Sequence, residues 1–418
     1  MLFSRLLAAA TGSAPFVQAA ELLASDRATN DQFGYSVCLS QDGSTLAVGA
    51  PFEETSPNSN TGAVYTYTRS GSSWVFQQKI YPSATYNGAS FGASVSLSND
   101  GTKLVVGAPL DGPTVTDGGA AYVFNYSIAL GWTQFQKITP AVLATRDYFG
   151  RSVCISGDGT TIIIGASGWS TPPSQFTYQG AAYIFAFSGP SWYEQQQILP
   201  SVVDNFGYFG YSVYLSQDGN TAIVGGYGYN SDEGKAFVFT RSGVSWTQQT
   251  DLIPSGSDAN ARYGYSVSLA SDGNTAIVSA YQDDIGASTN AGSVFVWTRS
   301  GTTWTQRQEL IASDYEQYSW FGFSCSISGD GLTIVIGASS DSISVAPTYS
   351  GSAYIFKRIS GAGYTWNQTQ KIKATPATAN AEFGYSICIS RNSKILSVGA
   401  RLTDTSPLTD NGAAYVFT

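Results

Sequence analysis

The chain has no histidine, a single methionine and only 12% charged residues in 418. Without histidine, the commonest general base and the commonest metal-ligating side chain are missing. His-containing zinc sites and Ser-His or Cys-His catalytic pairs are therefore excluded. There is no phosphate-binding P-loop motif and no cofactor fingerprint, so the expectation is a non-enzymatic protein with no cofactor; carboxylate-pair chemistry is the one route that sequence leaves open. Positive charge is also scarce: 20 Lys and Arg against 29 Asp and Glu give a net charge of −9. With no basic run, a nucleic-acid partner has nothing to displace its counterions. No apolar stretch approaches the roughly 20 residues of a membrane span. Residues 1–13 form an N-terminal segment with a weakly signal-like apolar stretch and no clear cleavage site.

Cysteine is sparse. Cys38, Cys154, Cys325 and Cys388 include no C-x-x-C pair, and three of them lie five residues after an equivalent Phe. They read as buried free thiols rather than a disulfide framework.

Glycine is abundant at 45 residues, and aromatic residues make up 14%. Both follow from a repeat. An aromatic-Gly-x-Ser quartet starts at Phe33, Phe91, Phe149, Phe209, Tyr263, Phe321 and Phe383, spaced by 54 to 62 residues. After each quartet comes a short strand, then an Asp-Gly turn such as Asp42-Gly43 or Asp100-Gly101, a strong hairpin signal. Only the seventh unit departs, with Arg391-Asn392. A second strand is apolar at successive positions, as in TIIIGA, and so predicts burial on both faces. A third opens on Gly, and a fourth is headed by Trp74, Trp132, Trp192, Trp246, Trp304 or Trp366.

The seventh unit reaches only its third strand by Thr418. Its fourth is found at the other end: Phe16 to Asp26 (FVQAAELLASD) matches Trp304 to Asp314 (WTQRQELIASD). The prediction is an all-β fold, a seven-bladed β-propeller of four-stranded antiparallel blades filling residues 14–418 as one domain. Residues 14–26 would complete the last blade and close the ring.

The Phe-Gly heads, with Gly49-Ala50-Pro51 and Gly107-Ala108-Pro109 further on, resemble the FG-GAP repeat of integrin α propellers. The resemblance implies ligand binding or adhesion. In that family several turns carry a D-x-D-x-D-G calcium loop; here the turns are as short as SQDGST, and one carboxylate cannot supply six to eight oxygens. No metal site is carried over to this chain.

Two features remain. In the family's topology the loops joining strands two to three and four to one share a face. On that face, units three to six carry an excess of rings: Trp169, Phe176, Tyr178, Tyr208, Tyr227, Tyr229, Tyr281, Tyr315, Tyr318 and Trp320. The matching loops of the other units offer mainly Phe52 and Tyr86. Such rings either pack their own loops or form an interface or a sugar platform. The candidate contact residues are Trp169, Tyr178, Tyr227, Tyr229, Tyr281, Tyr315, Tyr318 and Trp320, for a protein or glycan partner or for self-assembly. Acidic residues on the same loops, among them Asp31 and the pair Asp283-Asp284, read as a solvated surface. The sequons at Asn125 and Asn367 are possible glycosylation sites. They suit an extracellular or surface-associated protein; the free thiols suit a structural subunit of a filament, a surface layer or a virion assembled in the cytoplasm.

Overall fold

The computed structural model describes residues 14–54, 60–84, 86–112, 115–172, 177–342, 349–359, 361 and 363–418. The N-terminal segment 1–13 and Phe176 lie outside the described residues.

The strands assemble into seven four-stranded antiparallel sheets. In six of them chain order equals spatial order, as with Phe149–Ile155, Thr161–Ala166, Ala181–Ser188 and Ser191–Ile198 of the third blade. The seventh is built from Phe383–Ile389, Leu396–Ala400 and Ala413–Phe417, and its outer place is taken by Gln18–Leu22. Gln18 faces Phe417 and Leu22 faces Ala414, so the two ends of the chain close the ring. The first strand of each blade contacts the first strands of both neighbours, the seventh meeting the first. These inner strands surround a central channel.

Three repeated contacts hold neighbouring blades together. The quartet ring is fully buried in the wedge: Phe33 stands edge-on to Tyr65 at 5.3 Å and shares a cluster with Ala414 and Val416 of the seventh blade. The quartet Gly lets backbones meet. Gly34 has φ +91°, and a Cβ there would sit 2.2 Å from the Ala413 carbonyl oxygen, so no other residue fits. The quartet Ser acts across the blade boundary rather than locally: Ser36 donates to the Gly92 carbonyl at 2.8 Å, and Ser386 to that of Gly34 at 2.8 Å. On the outer strands a Gln grips the backbone of the next blade's Trp, as Gln78 does at Trp132 N (2.8 Å) and O (3.0 Å). Gln370 grips Phe16 in the same two-bond way, at 2.9 and 2.7 Å. Phe16 thus stands in the register of the outer-strand Trp, as FVQAAELLASD predicts.

The Asp-Gly turns consume their own carboxylates. Asp42 accepts from the Ser40 hydroxyl at 2.8 Å and the Ser44 amide at 2.9 Å. Burial raises its pKa, but these donors outweigh that and hold it below the ordinary value.

Candidate functional site

The loops joining strands two to three and four to one do share a face: short parallel bridges tie the end of one to the end of the other, as at Gly119 with Phe149 and Gly180 with Phe209. At the centre of that face the channel opens. Three register positions, each filled once by every blade, shape its mouth.

The innermost is the third residue of the quartet. Five blades place an aromatic ring there, and the rings touch in sequence: Tyr211 to Tyr265 (4.9 Å between centroids), Tyr265 to Phe323 (5.1 Å), Phe323 to Tyr385 (4.9 Å) and Tyr385 to Tyr35 (5.0 Å). The second and third blades break the arc with Ala93 and Arg151. The next position is the residue before the quartet. In all seven blades it is a non-glycine residue with positive φ, from Tyr208 at 51° to Arg262 and Trp320 at 56°. An L-residue in that region costs about 1–2 kcal/mol, so each blade holds a side chain where glycine would be easier. The third position is the last of the Gly-Ala-Pro triplet, held by Pro51, Pro109, Ser167, Tyr227, Tyr281, Ser339 and Arg401.

Four of the sequence candidates meet here. Tyr178, Tyr208 and Tyr227 form one stack, with 5.8 Å and 4.9 Å between successive centroids. Tyr227 then meets Tyr211 edge-on at 4.7 Å. Tyr281 lies 4.3 Å from Tyr265, and Trp320 stacks on Phe323 at 6.1 Å. The Nε1–H of Trp320 is buried without a partner. Tyr315 and Tyr318 stand on the rim, 40% and 48% exposed.

Two candidates are placed elsewhere. Tyr229 is 1% exposed and packs 5.0 Å from Phe237 within the core between the third and fourth blades. It is unavailable to a partner, because its loop turns inward at a tight turn, Tyr229–Asp232, in which Asn230, Ser231 and Asp232 all have positive φ. Trp169 is half-buried against the core of the third blade. Both occupy the register that Glu53, Asp111, Asp283 and Asp341 hold in other blades.

The reading of the acidic residues as solvated holds for Asp284, which is exposed, and is corrected for Asp283 in that register and for Asp31. Asp283 is buried and accepts from the Ser293 hydroxyl (2.5 Å) and the Asp258 amide (2.9 Å). Asp111 and Asp341 are buried and paired with Lys137 (2.8 Å) and Lys371 (2.9 Å). Asp31 is buried, and burial with Glu53 beside it pushes its carboxyl up to about 7. Among the described residues no group of three or more His, Cys, Asp or Glu is placed to hold a metal ion. Of the sequon residues, Asn367 is exposed, whereas the Asn125 side-chain oxygen is enclosed.

The string Gly88-Ala89-Ser90-Phe91-Gly92 matches the G-x-S-x-G nucleophile pattern in letters. Ser90, however, lies in a loop with φ 55° before an inner strand, not on a strand-to-helix elbow, and the chain has no histidine to activate it.

The mouth holds a cavity of about 380 Å³. Rings and apolar groups dominate its wall, including Tyr208, Tyr227, Phe52, Pro109 and Leu110, and among the described residues Arg151 is the one charged side chain lining it. The opposite end of the channel is narrower, with a cavity of about 120 Å³ lined by Cys38, Cys154, Cys325, Cys388, Tyr214 and Arg391. All four cysteines are free. Burial pushes the Cys325 thiol up to about 12. Cys388 is held below the ordinary value, chiefly by the Cys38 thiol donating to it.

Sequence reasoning missed the quartet's third position, Arg151 included. The signal was present: it is the one position inside an otherwise repeated quartet that changes from blade to blade.

Fold and site define a seven-bladed β-propeller with a ring-lined cavity on its loop face. The FG-GAP repeat matches seven segments, 16–67, 74–124, 132–185, 192–239, 246–297, 304–356 and 366–417, and the chain belongs to the FG-GAP repeat family. It is also 34% identical over 161 residues to integrin alpha-11 of Homo sapiens, a match covering 34% of this chain and 13% of that protein. The chain thus matches only a small part of that relative's length. No helix among the described residues is long and apolar enough to cross a membrane.

Proposed function

We propose that this propeller is a non-enzymatic recognition or adhesion module, working outside the cell or at its surface, that binds a partner through its loop face. The observation carrying this reading is the mouth itself. It keeps seven side chains in a backbone region that favours glycine, and it surrounds an apolar cavity of a size that suits a ligand group. Likeness to part of an integrin α chain adds a protein as the first partner to try, with a glycan as the alternative. A second reading, a structural subunit of a filament, surface layer or virion, draws on the four free thiols, which suit assembly in a reducing compartment.

Binding of the monomer to protein and glycan arrays separates these readings. Selective binding that weakens in Tyr318→Ser supports recognition. Ordered self-assembly of the wild type with no array binding overturns it in favour of the subunit.

A further inference from the structure

We propose that the cavity at the channel mouth is a carboxylate-binding pocket. Its ligand is an acidic side chain presented beside apolar residues by a partner protein segment, and Arg151 is the group that holds the carboxylate. The proposal rests on the loop-face reading above and specifies the chemistry of its partner.

Arg151 is a cation without an anion. Its Nη2 donates to the Tyr211 hydroxyl at 2.5 Å and its Nη1 reaches the Tyr35 hydroxyl at 3.5 Å, while the guanidinium lies 4.5 Å from the Tyr211 ring centroid. Among the described residues no carboxylate is within ion-pairing distance of it. A guanidinium has five N–H donors, so two phenol oxygens leave most of that capacity unused. Arg401, at the same mouth, is different: it pairs with Glu382 at 2.6 Å, bonds Gln32 at 3.1 Å and covers the Tyr385 ring.

Access to Arg151 comes from its neighbour. Ala93 stands where four blades carry Tyr and one carries Phe, and both Ala93 and Arg151 line the cavity. The missing ring opens a space beside the guanidinium.

The occupant's chemistry follows by elimination. Ring faces and phenol oxygens suit a cation, but Arg151 already fills that role and repels a second. The incoming group is therefore an anion, and a carboxylate matches the planar fork. A phosphate would bring up to two negative charges into a largely apolar pocket against one guanidinium. A sugar acid would bury several hydroxyls in a mouth whose wall is mostly ring and apolar surface, where Ser90, Ser167 and the tyrosine hydroxyls are the neutral partners it could reach. An acidic residue flanked by apolar ones satisfies both the charge and the wall.

The test is calorimetric titration of the whole protein with acetyl-Leu-Asp-Phe-amide, its Asn counterpart and sialyllactose. The Asp peptide is expected to bind about tenfold or more tightly than the Asn peptide, the difference a charged hydrogen bond supplies. Arg151→Met should erase that preference. Ala93→Tyr, which installs the ring other blades carry, should block the peptide while leaving Arg151 in place, so the test survives even if Arg151→Met fails to fold. Equal binding of the two peptides, no peptide binding, or a preference for sialyllactose overturns the proposal. If the peptides fail while Tyr318→Ser still alters the array profile, the loop-face reading stands and only the carboxylate pocket falls.

Discussion

The two ends of the central channel are built from the same seven inner strands and have diverged in opposite ways. At the turn end five of the seven blades repeat one solution, the fifth having Ala270 in place of the Ser and the seventh Asn392 in place of the Asp. A Ser two residues before the turn's Asp and the amide two residues after it take up the carboxylate, as at Asp100 with Ser98 (2.6 Å) and Thr102 (3.0 Å), and the channel narrows to about 120 Å³ among thiols. At the loop end three register positions vary from blade to blade, rings cluster on one side, and about 380 Å³ stays open beside an unneutralised Arg151. Repetition marks what the ring needs in order to close. Variation marks where the molecule has been free to acquire a surface. Substitutions in repeated parts should therefore move stability, and those in the varied mouth should move binding.

The largest effect expected is at the closure itself. Removing residues 1–27 takes away Gln18–Leu22 and leaves the Ala413–Phe417 edge unpaired, an open template for aggregation. It also strips Gln370 of its Phe16 backbone partner. Aggregation or a melting temperature lowered by many degrees is the expected outcome by light scattering and calorimetry. An unchanged melt would mean that the ring does not depend on its N-terminal strand.

Tyr229 tests the border between the two classes. It sits in a varied loop yet behaves as core, so Tyr229→Ala should destabilise by about 3–5 kcal/mol in chemical denaturation. Its hydroxyl is buried without a partner. Tyr229→Phe should therefore be neutral or stabilising by up to about 1 kcal/mol. A large loss in both variants would show that the hydroxyl is bonded.

These cases show how far the sequence could be read. Phe, Gly and Ser of the quartet announced blade number and register because each serves an inter-blade contact blade after blade; only Ser266 of the fifth departs, accepting from the Cys325 amide at 3.2 Å where the other six donate to the next Gly carbonyl. The N-terminal match announced closure because strand four has its own pattern. What stayed hidden was direction in space. The partner of Ser36 lies 56 residues away in the next blade, and nothing local distinguishes Tyr229, turned inward, from Tyr227, stacked at the mouth. Arg151 was passed over because the quartet's third position was left unassigned, although its residue type changes from blade to blade.

A smaller effect is a slope of stability with pH. Burial, with Glu53 adding to it, raises Asp31 to about 7, and burial raises Asp147 to about 6, from an unfolded value near 3.8. Between about pH 4 and 7 the native state holds protons that the unfolded chain has released, so stability falls as pH rises through that window. The turn residues Asp42, Asp100, Asp158 and Asp218 are shifted downward and lose their contribution only below the ordinary carboxylate range, outside the window. Melting temperature should decline from pH 5 to pH 8, and Asp31→Asn should flatten the decline. A melting temperature that rises over this range would contradict the assignment.

The smallest stability change is expected at the mouth, from Trp320→Gly. Trp320 has φ 56°, so glycine relieves a strain of about 1–2 kcal/mol. Against that stand the greater freedom of glycine in the unfolded chain, about 0.5–1 kcal/mol, and the loss of ring contacts with Phe323 and Tyr281. The substitution also removes an indole N–H that is buried without a partner. These terms oppose one another, and the net change in unfolding free energy should stay within about 1 kcal/mol. Binding through the loop face, by contrast, should weaken markedly, since the variant removes one of the rings that frame the mouth. Denaturant titration and array binding on the same preparation make the comparison. A loss of several kcal/mol would place Trp320 with Tyr229 among the core residues. Full binding with unchanged stability would show that the arc's sixth-blade side lies outside the contact surface.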